Sequence, residues 1–512
     1  MSKREKFVFL SFLVLILIIY GSSLFGTFVF DDRGILEHWD MLSSLANLKD
    51  TALNPYWDMA DKLYRPTTLV SYAVNIIFLG GSAFSFHLVN LLLYFGICVS
   101  LYVLVKRLFQ DEKLAYVSAL LFLVLPIHSE VVANITGRSE LLALLFSLLV
   151  FLECTKERAK WWLAGLYTFL ALGSKEVAIA TLPILLLVIW IKESGEIRGT
   201  MIYHSKQIFI KYFRPVSAVV VGTALYLFVR FFVLGPEYFS GSNAGLIENP
   251  LIEASHLDRI STAFSILWMY VQKSLVPVGL CSDYSYSQIP TLSGLWHFSS
   301  LAGLLVYCGA IFTAFFYLKK KPAISFASTF FVVGFFLVSN IAFPIGTIAG
   351  ERLFFYASVG LMIFLALLLK SLDKRIFIML IIVYGFFSFS RGLVWISEER
   401  LFTNAVKCAP QSVLSRSNAG AAYYLKGDLL QAERELTLSR EIKPIYSKGL
   451  NNLGLVYWKQ GRLSEAKDMY LESLRQKHPY SGAIENLALL FLQEGDEAQA
   501  QSWLKLISRG RE

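Results

Sequence analysis

Residues 3–25 read KREKFVFLSFLVLILIIYGSSLF: the cations Lys3, Arg4 and Lys6, then an apolar run from Phe7 to Ile19 that carries on to Phe25. A secretory signal peptide also starts with cations before an apolar core, but its core needs only ~7 to 15 residues and a small-residue cleavage site, which is missing here. The length suits a full membrane crossing of ~20 residues. The segment therefore reads as an uncleaved first helix with its N-terminus in the cytoplasm.

Working outward, the same apolar character persists to about Arg391. Of 512 residues 55% are apolar, 41 of them Phe, and 17% charged, against ~45 to 50% and ~25% in soluble domains. A water-soluble enzyme cannot hide that much apolar surface, and disorder, collagen and a disulfide-rich module are excluded by the same numbers. From about Glu398 the chain is ordinary and charged. The expected fold class is all-α: a polytopic helical membrane domain over 1–396 and an extracytoplasmic helical domain over 397–512.

Further spans are expected near 86–105, 114–128, 138–154, 161–174, 176–191, 215–234, 299–318, 323–343, 353–370 and 376–394, about eleven in all with the first. Cations fill alternate loops, as cytoplasmic loops require: Lys106, Arg107 and Lys113; Lys156, Arg158 and Lys160; Lys192, Arg198, Lys206, Lys211 and Arg214; Lys319 to Lys321; Lys370, Lys374 and Arg375. This places the C-terminus outside the cytoplasm, provided that 67–80 and 260–280 lie along the outer face. The net charge of +9 is thus written into topology and does not point to nucleic acid. Cys98, Cys154 and Cys308 sit in or beside apolar runs, the distant Cys281 and Cys408 show no metal-site spacing, and no disulfide is supported by the sequence.

The tail repeats. Ala419-Gly420, Leu453-Gly454 and Leu487-Ala488 recur every 34 residues, each followed by an aromatic (Tyr423, Tyr457, Phe491) and then by Ala432, Ala466 and Ala500, with Pro444 and Pro479 closing two units. That period is the tetratricopeptide length, and stacked helix pairs of this kind form a solenoid whose concave face takes a peptide or, alternatively, caps the membrane domain.

Chemistry-bearing residues gather in the loops expected outside. Asp31 and Asp32 follow Thr27-Phe28-Val29-Phe30 directly after the first span, where carboxylates are costly unless solvated or used. They can act as a general base, bind a divalent cation or cap the next helix. Arg65, His128 with Glu130, Arg138 with Glu140, Lys175 with Glu176, and Glu351 with Arg352 stand at helix ends on the same side. Arg and Lys there can hold a lipid-linked phosphate, or simply pair across helices. His128 and Glu130 lack the partners of a zinc motif, and no metal ligand set is assigned.

In order along the chain stand FVFDDRGI (28–35), YRPTTLVSYAVN (64–75), FHLVNLLLY (86–94), PIHSEVVANITGRSELLALLF (126–146), GSKEVAIATLPILLL (173–187), GERLFFYASVG (350–360) and the repeats. This series resembles the transmembrane and tetratricopeptide repeat-containing O-mannosyltransferases and their bacterial relatives, of the GT-C superfamily. The resemblance implies transfer of a sugar, mannose by default, from a polyprenyl-phosphate donor to Ser or Thr hydroxyls of extracytoplasmic proteins, with inversion and a first-loop acid as base. Asp31 and Asp32 are then the base candidates. Arg65, Arg138, Lys175 and Arg352 are candidates for the donor phosphate, Arg138 first, with His128, Glu130 and Glu351 beside them. The acceptor polypeptide would lie in the solenoid groove and the donor among membrane lipids. The three repeats, fewer than in many animal members, point to a bacterial inner membrane. A transferase acting on a glycolipid or cell-surface polysaccharide, and a scaffold recruiting partners through its repeats, are the competing readings.

Overall fold

The computed structural model describes residues 2–57, 63–194, 201–235, 245–476 and 480–509; Arg198 and Pro479 lie outside them. The first helix, Lys3–Tyr20, opens on a capping box in which the Ser2 hydroxyl accepts from the Glu5 amide and the Glu5 carboxylate from the Ser2 amide. Among the described residues seven helices are long and apolar enough to cross a membrane: Lys3–Phe25, Ala83–Phe109, Ile135–Cys154, Ile210–Leu234, Phe298–Phe316, Glu351–Leu369 and Lys374–Ile396. An eighth crossing forms if Glu112–Leu123 and Pro126–Ala133, bent by 54°, count as one. Three expected spans form shorter helices: Trp161–Leu172, Thr181–Ser194 and Pro322–Phe336 have 12, 14 and 15 residues. Their helices stop where Gly173 to Ala180 turns through a 3-10 segment and where Leu337 to Gly350 runs irregularly. Of the two stretches expected along the outer face, Pro66–Leu79 is a 14-residue apolar helix and His256–Leu275 is a 20-residue amphipathic one that keeps Asp258, Arg259 and Lys273.

The bundle packs where small residues let backbones meet. A Cβ on Gly222 would lie 2.4 Å from the Gly165 carbonyl oxygen, so Ile210–Leu234 and Trp161–Leu172 approach only because both positions are glycine. Outward-facing Phe7, Leu10, Phe228, Phe232, Leu305 and Phe315 are exposed, the arrangement expected of side chains that meet lipid.

Six helices follow as three hairpins: Val413–Lys426 with Leu429–Ile442, Ser447–Lys459 with Leu463–Leu474, and Gly482–Gln493 with Glu497–Arg509. Ala432, Ala466 and Ala500 are fully buried, and a Cβ on Gly454 would sit 2.5 Å from the Tyr470 ring. The period extends to the turns, because Gly427, Gly461 and Gly495 all adopt positive φ of 79 to 87°, which glycine takes without strain.

The solenoid is tied to the membrane helices at its first hairpin. Helix Glu398–Cys408 precedes it, and Cys408 forms a disulfide with Cys281 (Cα–Cα 5.7 Å). The hydroxyls of Ser412 and Ser415 donate to the Asp283 carboxylate, and Ala419 and Tyr423 pack with Val29, Phe30, Ala133, Trp395, Leu401 and Phe402. Closing a 127-residue loop restricts the unfolded chain and pins the loop after His256–Leu275 to the repeats.

Candidate functional site

Two adjacent acids meet opposite environments. The first span ends in a 3-10 turn, Gly21–Phe25, and a second, Phe30–Asp32, starts with Phe30 at φ +54°, a strained conformation for a non-glycine residue. The turn buries Asp32 completely, where one carboxylate oxygen accepts from the Val29 amide (3.0 Å) and the other from the Thr136 amide (2.9 Å). Asp31 faces outward, its side chain 41% exposed, and its Oδ2 accepts from Nη1 of Arg352 at 2.9 Å. The next residue, Arg33, donates to Glu398 and ties the turn to the solenoid side.

Burial pushes the Asp32 carboxyl up to about 7, against the opposing pull of its two amide donors. An unfolded Asp titrates near ~3.9. Between these values the folded chain keeps a proton that the unfolded chain has lost. The stabilisation from this group is complete below ~4, declines as pH rises toward about 7 and is flat beyond. The thermal midpoint of the wild type is therefore expected to fall relative to that of Asp32→Asn between about pH 5 and pH 8, measured on detergent-solubilised protein; parallel curves would contradict it.

Arg352 is the hub of a chain of charges. Its amide donates to Glu130 Oε2 at 3.0 Å, and its Nη1 lies 3.6 Å from Glu130 Oε1, with the Glu130 carboxylate buried. Arg352 also lines a small pocket with Glu140, Lys175, Val177, Val338, Leu353, Phe355 and Tyr356. There the Lys175 ammonium donates to Glu140, whose other oxygen accepts from the Ser139 hydroxyl at 2.6 Å. Next to Lys175 in sequence, Glu176 bridges Arg65 (3.0 Å) and Arg230 (3.2 Å), and the Arg65 guanidinium lies 5.1 Å from the Tyr56 ring centre. Nε and Nη2 of Arg352 meet no acceptor among the described residues.

Besides Asp32, three expected site residues stand apart, held by protein partners. Arg138, the leading phosphate candidate from sequence, is fully enclosed: Nε donates to Asn90 Oδ1 (2.9 Å), Nη1 to the Ser71 carbonyl (3.2 Å), and Nη2 to Asn75 Oδ1 (3.0 Å) and the Phe86 carbonyl (2.9 Å). Tyr72 and Phe86 present ring faces to the guanidinium at 5.1 and 5.0 Å. With four hydrogen bonds and two rings around it, Arg138 ties helices Pro66–Leu79 and Ala83–Phe109 to Arg138–Cys154 and leaves no approach for a phosphate. Arg138→Met is expected to destabilise the protein by roughly 3 to 5 kcal/mol, because buried acceptors on Asn75 and Asn90 lose their donor; a thermal midpoint equal to wild type would contradict this. His128 is buried between the Tyr94 hydroxyl (3.0 Å) and Ser358 (2.8 Å). Glu351 turns away from the pocket and accepts from the Tyr284 hydroxyl at 2.9 Å, 3.8 Å from Arg391. Among the described residues no three His, Cys, Asp or Glu are placed to hold a metal ion.

Asp31, Glu130, Glu140, Lys175 and Arg352 are thus brought together, with Arg65 beside them through Glu176. Arg230 was missed from sequence; its mark was an arginine near the outer end of an apolar run, level with Arg65 and Glu176.

The fold and this charged cleft define a multi-pass helical membrane protein with a tetratricopeptide-like solenoid, and residues 68–231 match the family described as dolichyl-phosphate-mannose-protein mannosyltransferase. In sequence the chain is similar to several protein O-mannosyl-transferases. It is 25% identical to the Caenorhabditis elegans protein O-mannosyl-transferase F38B6.6 over 84% of this chain and 62% of the relative. It is 26% identical to human protein O-mannosyl-transferase TMTC3 over 83% of this chain and 50% of the relative, and 27% identical to human TMTC4 over 82% and 64%. The chain spans half to just under two thirds of the length of these relatives.

Proposed function

We propose that this protein is a membrane glycosyltransferase that moves mannose from a polyprenyl-phosphate donor to Ser or Thr hydroxyls of extracytoplasmic proteins, with inversion at the sugar carbon. The observation that carries this reading is Arg352, which holds Asp31 with one nitrogen and leaves two others without an acceptor among the described residues, beside an apolar-walled pocket. Its open edge, with Lys175, suits the donor phosphate, since a planar guanidinium can serve a carboxylate and a phosphate on different edges. Val177, Val338, Leu353 and Phe355 suit the start of a lipid chain.

In this mechanism the acceptor hydroxyl attacks the sugar carbon while its proton passes to Asp31. The bond from sugar carbon to phosphate oxygen breaks, and the lipid phosphate leaves with the electron pair, its charge met by Arg352 and Lys175. Asp32 shapes the turn and does not meet the substrate. In this reading the N-terminus is cytoplasmic and the site and repeats lie outside, at a bacterial inner membrane, which the basic alternate loops support. A disulfide between Cys281 and Cys408 fits an oxidising compartment on that side.

The test is transfer from a panel of radiolabelled polyprenyl-phosphate sugars in membranes carrying wild type or Asp31→Asn, with products separated into protein, lipid and polymer. Label in protein that disappears with the variant supports the reading. Label in lipid or polymer replaces the acceptor, label unaffected by Asp31 overturns the mechanism, and a chelator arm reads any need for a divalent cation.

A further inference from the structure

Arg352 sits on a short turn, Glu351–Phe354, that follows an irregular run from Leu337 to Gly350, so no helix directly upstream sets its direction. Two anchors hold its start. The Tyr270 hydroxyl donates to the Gly350 carbonyl (2.9 Å) and accepts from the Gly350 amide (3.0 Å). Glu351, fully buried, is the second: its Oε1 accepts from the Cys281 amide and from the Tyr284 hydroxyl. Its Oε2 lies 3.8 Å from Nε of Arg391, whose Nη1 donates to Asn404 at 2.8 Å. Both routes out of Glu351 end on one helix, Glu398–Cys408, the first through Asn404 and the second through Cys281 and its disulfide to Cys408. A buried carboxylate is costly unless its oxygens are met, and the amide that meets this one belongs to the bridged cysteine itself.

We propose that Glu351 is a positioning residue for Arg352 and that the Cys281–Cys408 bridge sets it, so that sugar transfer depends on the bridge being closed. The inference rests on the transferase reading. Glu351 and Arg352 are neighbours on a tight turn, one carboxylate turned away from the pocket and one guanidinium lining it. Fixing the carboxylate among Cys281, Tyr284 and Arg391 therefore sets the roll of the turn, and with it the direction from which Arg352 reaches Asp31. Opening the bridge leaves the rest of this loop attached to the repeats, because the Asp283 carboxylate still accepts from the Ser412 and Ser415 hydroxyls and the Val413 amide still donates to the Tyr286 carbonyl. What it releases is the Cys281 end, the end that touches Glu351. Closing the bridge passes two electrons and two protons from the Cys281 and Cys408 thiols to a disulfide oxidant, which becomes a dithiol; a dithiol reductant reverses the exchange. The site is thereby completed only once helix Glu398–Cys408 has docked in an oxidising compartment.

The test uses the full chain in lipid nanodiscs with a mannosyl polyprenyl phosphate and a Ser/Thr peptide, oxidised or treated with a dithiol, with opening of the bridge read by alkylation of the freed thiols. In wild type, reduction is expected to lower kcat about tenfold with a smaller change in donor KM, the scale of a catalytic group displaced by a fraction of an ångström. Cys281→Ser with Cys408→Ser is expected to match the reduced wild type and to ignore the reductant, whereas Cys308→Ser, which removes the exposed free thiol, is expected to respond as wild type does. Glu351→Ala is expected to be as slow when oxidised as the reduced wild type, and reduction is expected to cost it less than about twofold more, because two changes on one route do not add. An unchanged wild-type kcat with the bridge open, or an equal further loss on reducing Glu351→Ala, overturns the positioning route and leaves the transferase reading intact. The wild-type comparison decides the matter even where Glu351→Ala fails to fold. Absence of transfer by oxidised wild type removes the transferase reading and this proposal with it.

Discussion

Asp31→Asn is expected to lose at least about 100-fold in the rate of sugar transfer while the protein folds and reaches the membrane as wild type does. The magnitude follows from the contribution of a general base, ~100 to 10,000-fold, because the amide keeps the shape of the carboxylate but cannot take the proton. The stability expectation follows from position: Asp31 is 41% exposed and its pair with Arg352 lies at the surface, where such pairs contribute ~0 to 1 kcal/mol. Asp32→Asn makes the contrast. Both Asp32 oxygens accept from backbone amides, so an Asn there turns a donor toward a donor. Its activity loss is expected to track a lowered thermal midpoint. Measuring kcat and thermal midpoint for both variants separates the roles: an active Asp31→Asn beside a well-folded, inactive Asp32→Asn would exchange them.

That contrast also marks where sequence reading stops. Both acids were legible as a pair because carboxylates after an apolar run need a reason to be there, but their neighbourhood in sequence says nothing about which one is buried. A single 3-10 turn, with Phe30 at positive φ, sends one inward and one outward. The helical hairpins of the tail were legible because each repeat packs mainly on its neighbours, so a local period describes them. The enclosure of Arg138 was illegible for the opposite reason: its acceptors Asn90 and Asn75 lie 48 and 63 residues away, and nothing local to the motif shows that they close over it. Distance hid the Cys281–Cys408 bond in the same way, and with it the attachment of the repeats to the loop beside Glu351. The apolar runs were read correctly as helices, but their interruptions at Gly173 and after Phe336 leave Trp161–Leu172 and Pro322–Phe336 with only 12 and 15 helical residues.

Arg352→Gln is expected to lower kcat/KM for the donor by about 100 to 1,000-fold, the scale seen when one fixed donor to developing charge is removed. Three contacts meet at this residue, and the substitution divides them. Its amide bond to Glu130 belongs to the backbone and survives, so the buried acid keeps one donor and the local turn is expected to persist. The link to Asp31 and the open Nε and Nη2 edge are lost together. Arg352→Lys restores the charge but, as a compact ammonium on a flexible stem, cannot present separate edges to a carboxylate and a phosphate. It is therefore expected to recover only part of the loss, with the deficit greater in kcat than in donor KM, because holding base and leaving group in one geometry matters most as the sugar carbon changes partners. Donor titrations with the wild type and the two variants read this directly. Full recovery by lysine would reduce the role of Arg352 to charge alone, and an unchanged kcat/KM in the glutamine variant would move the phosphate site to the other cations, Lys175, Arg65 and Arg230.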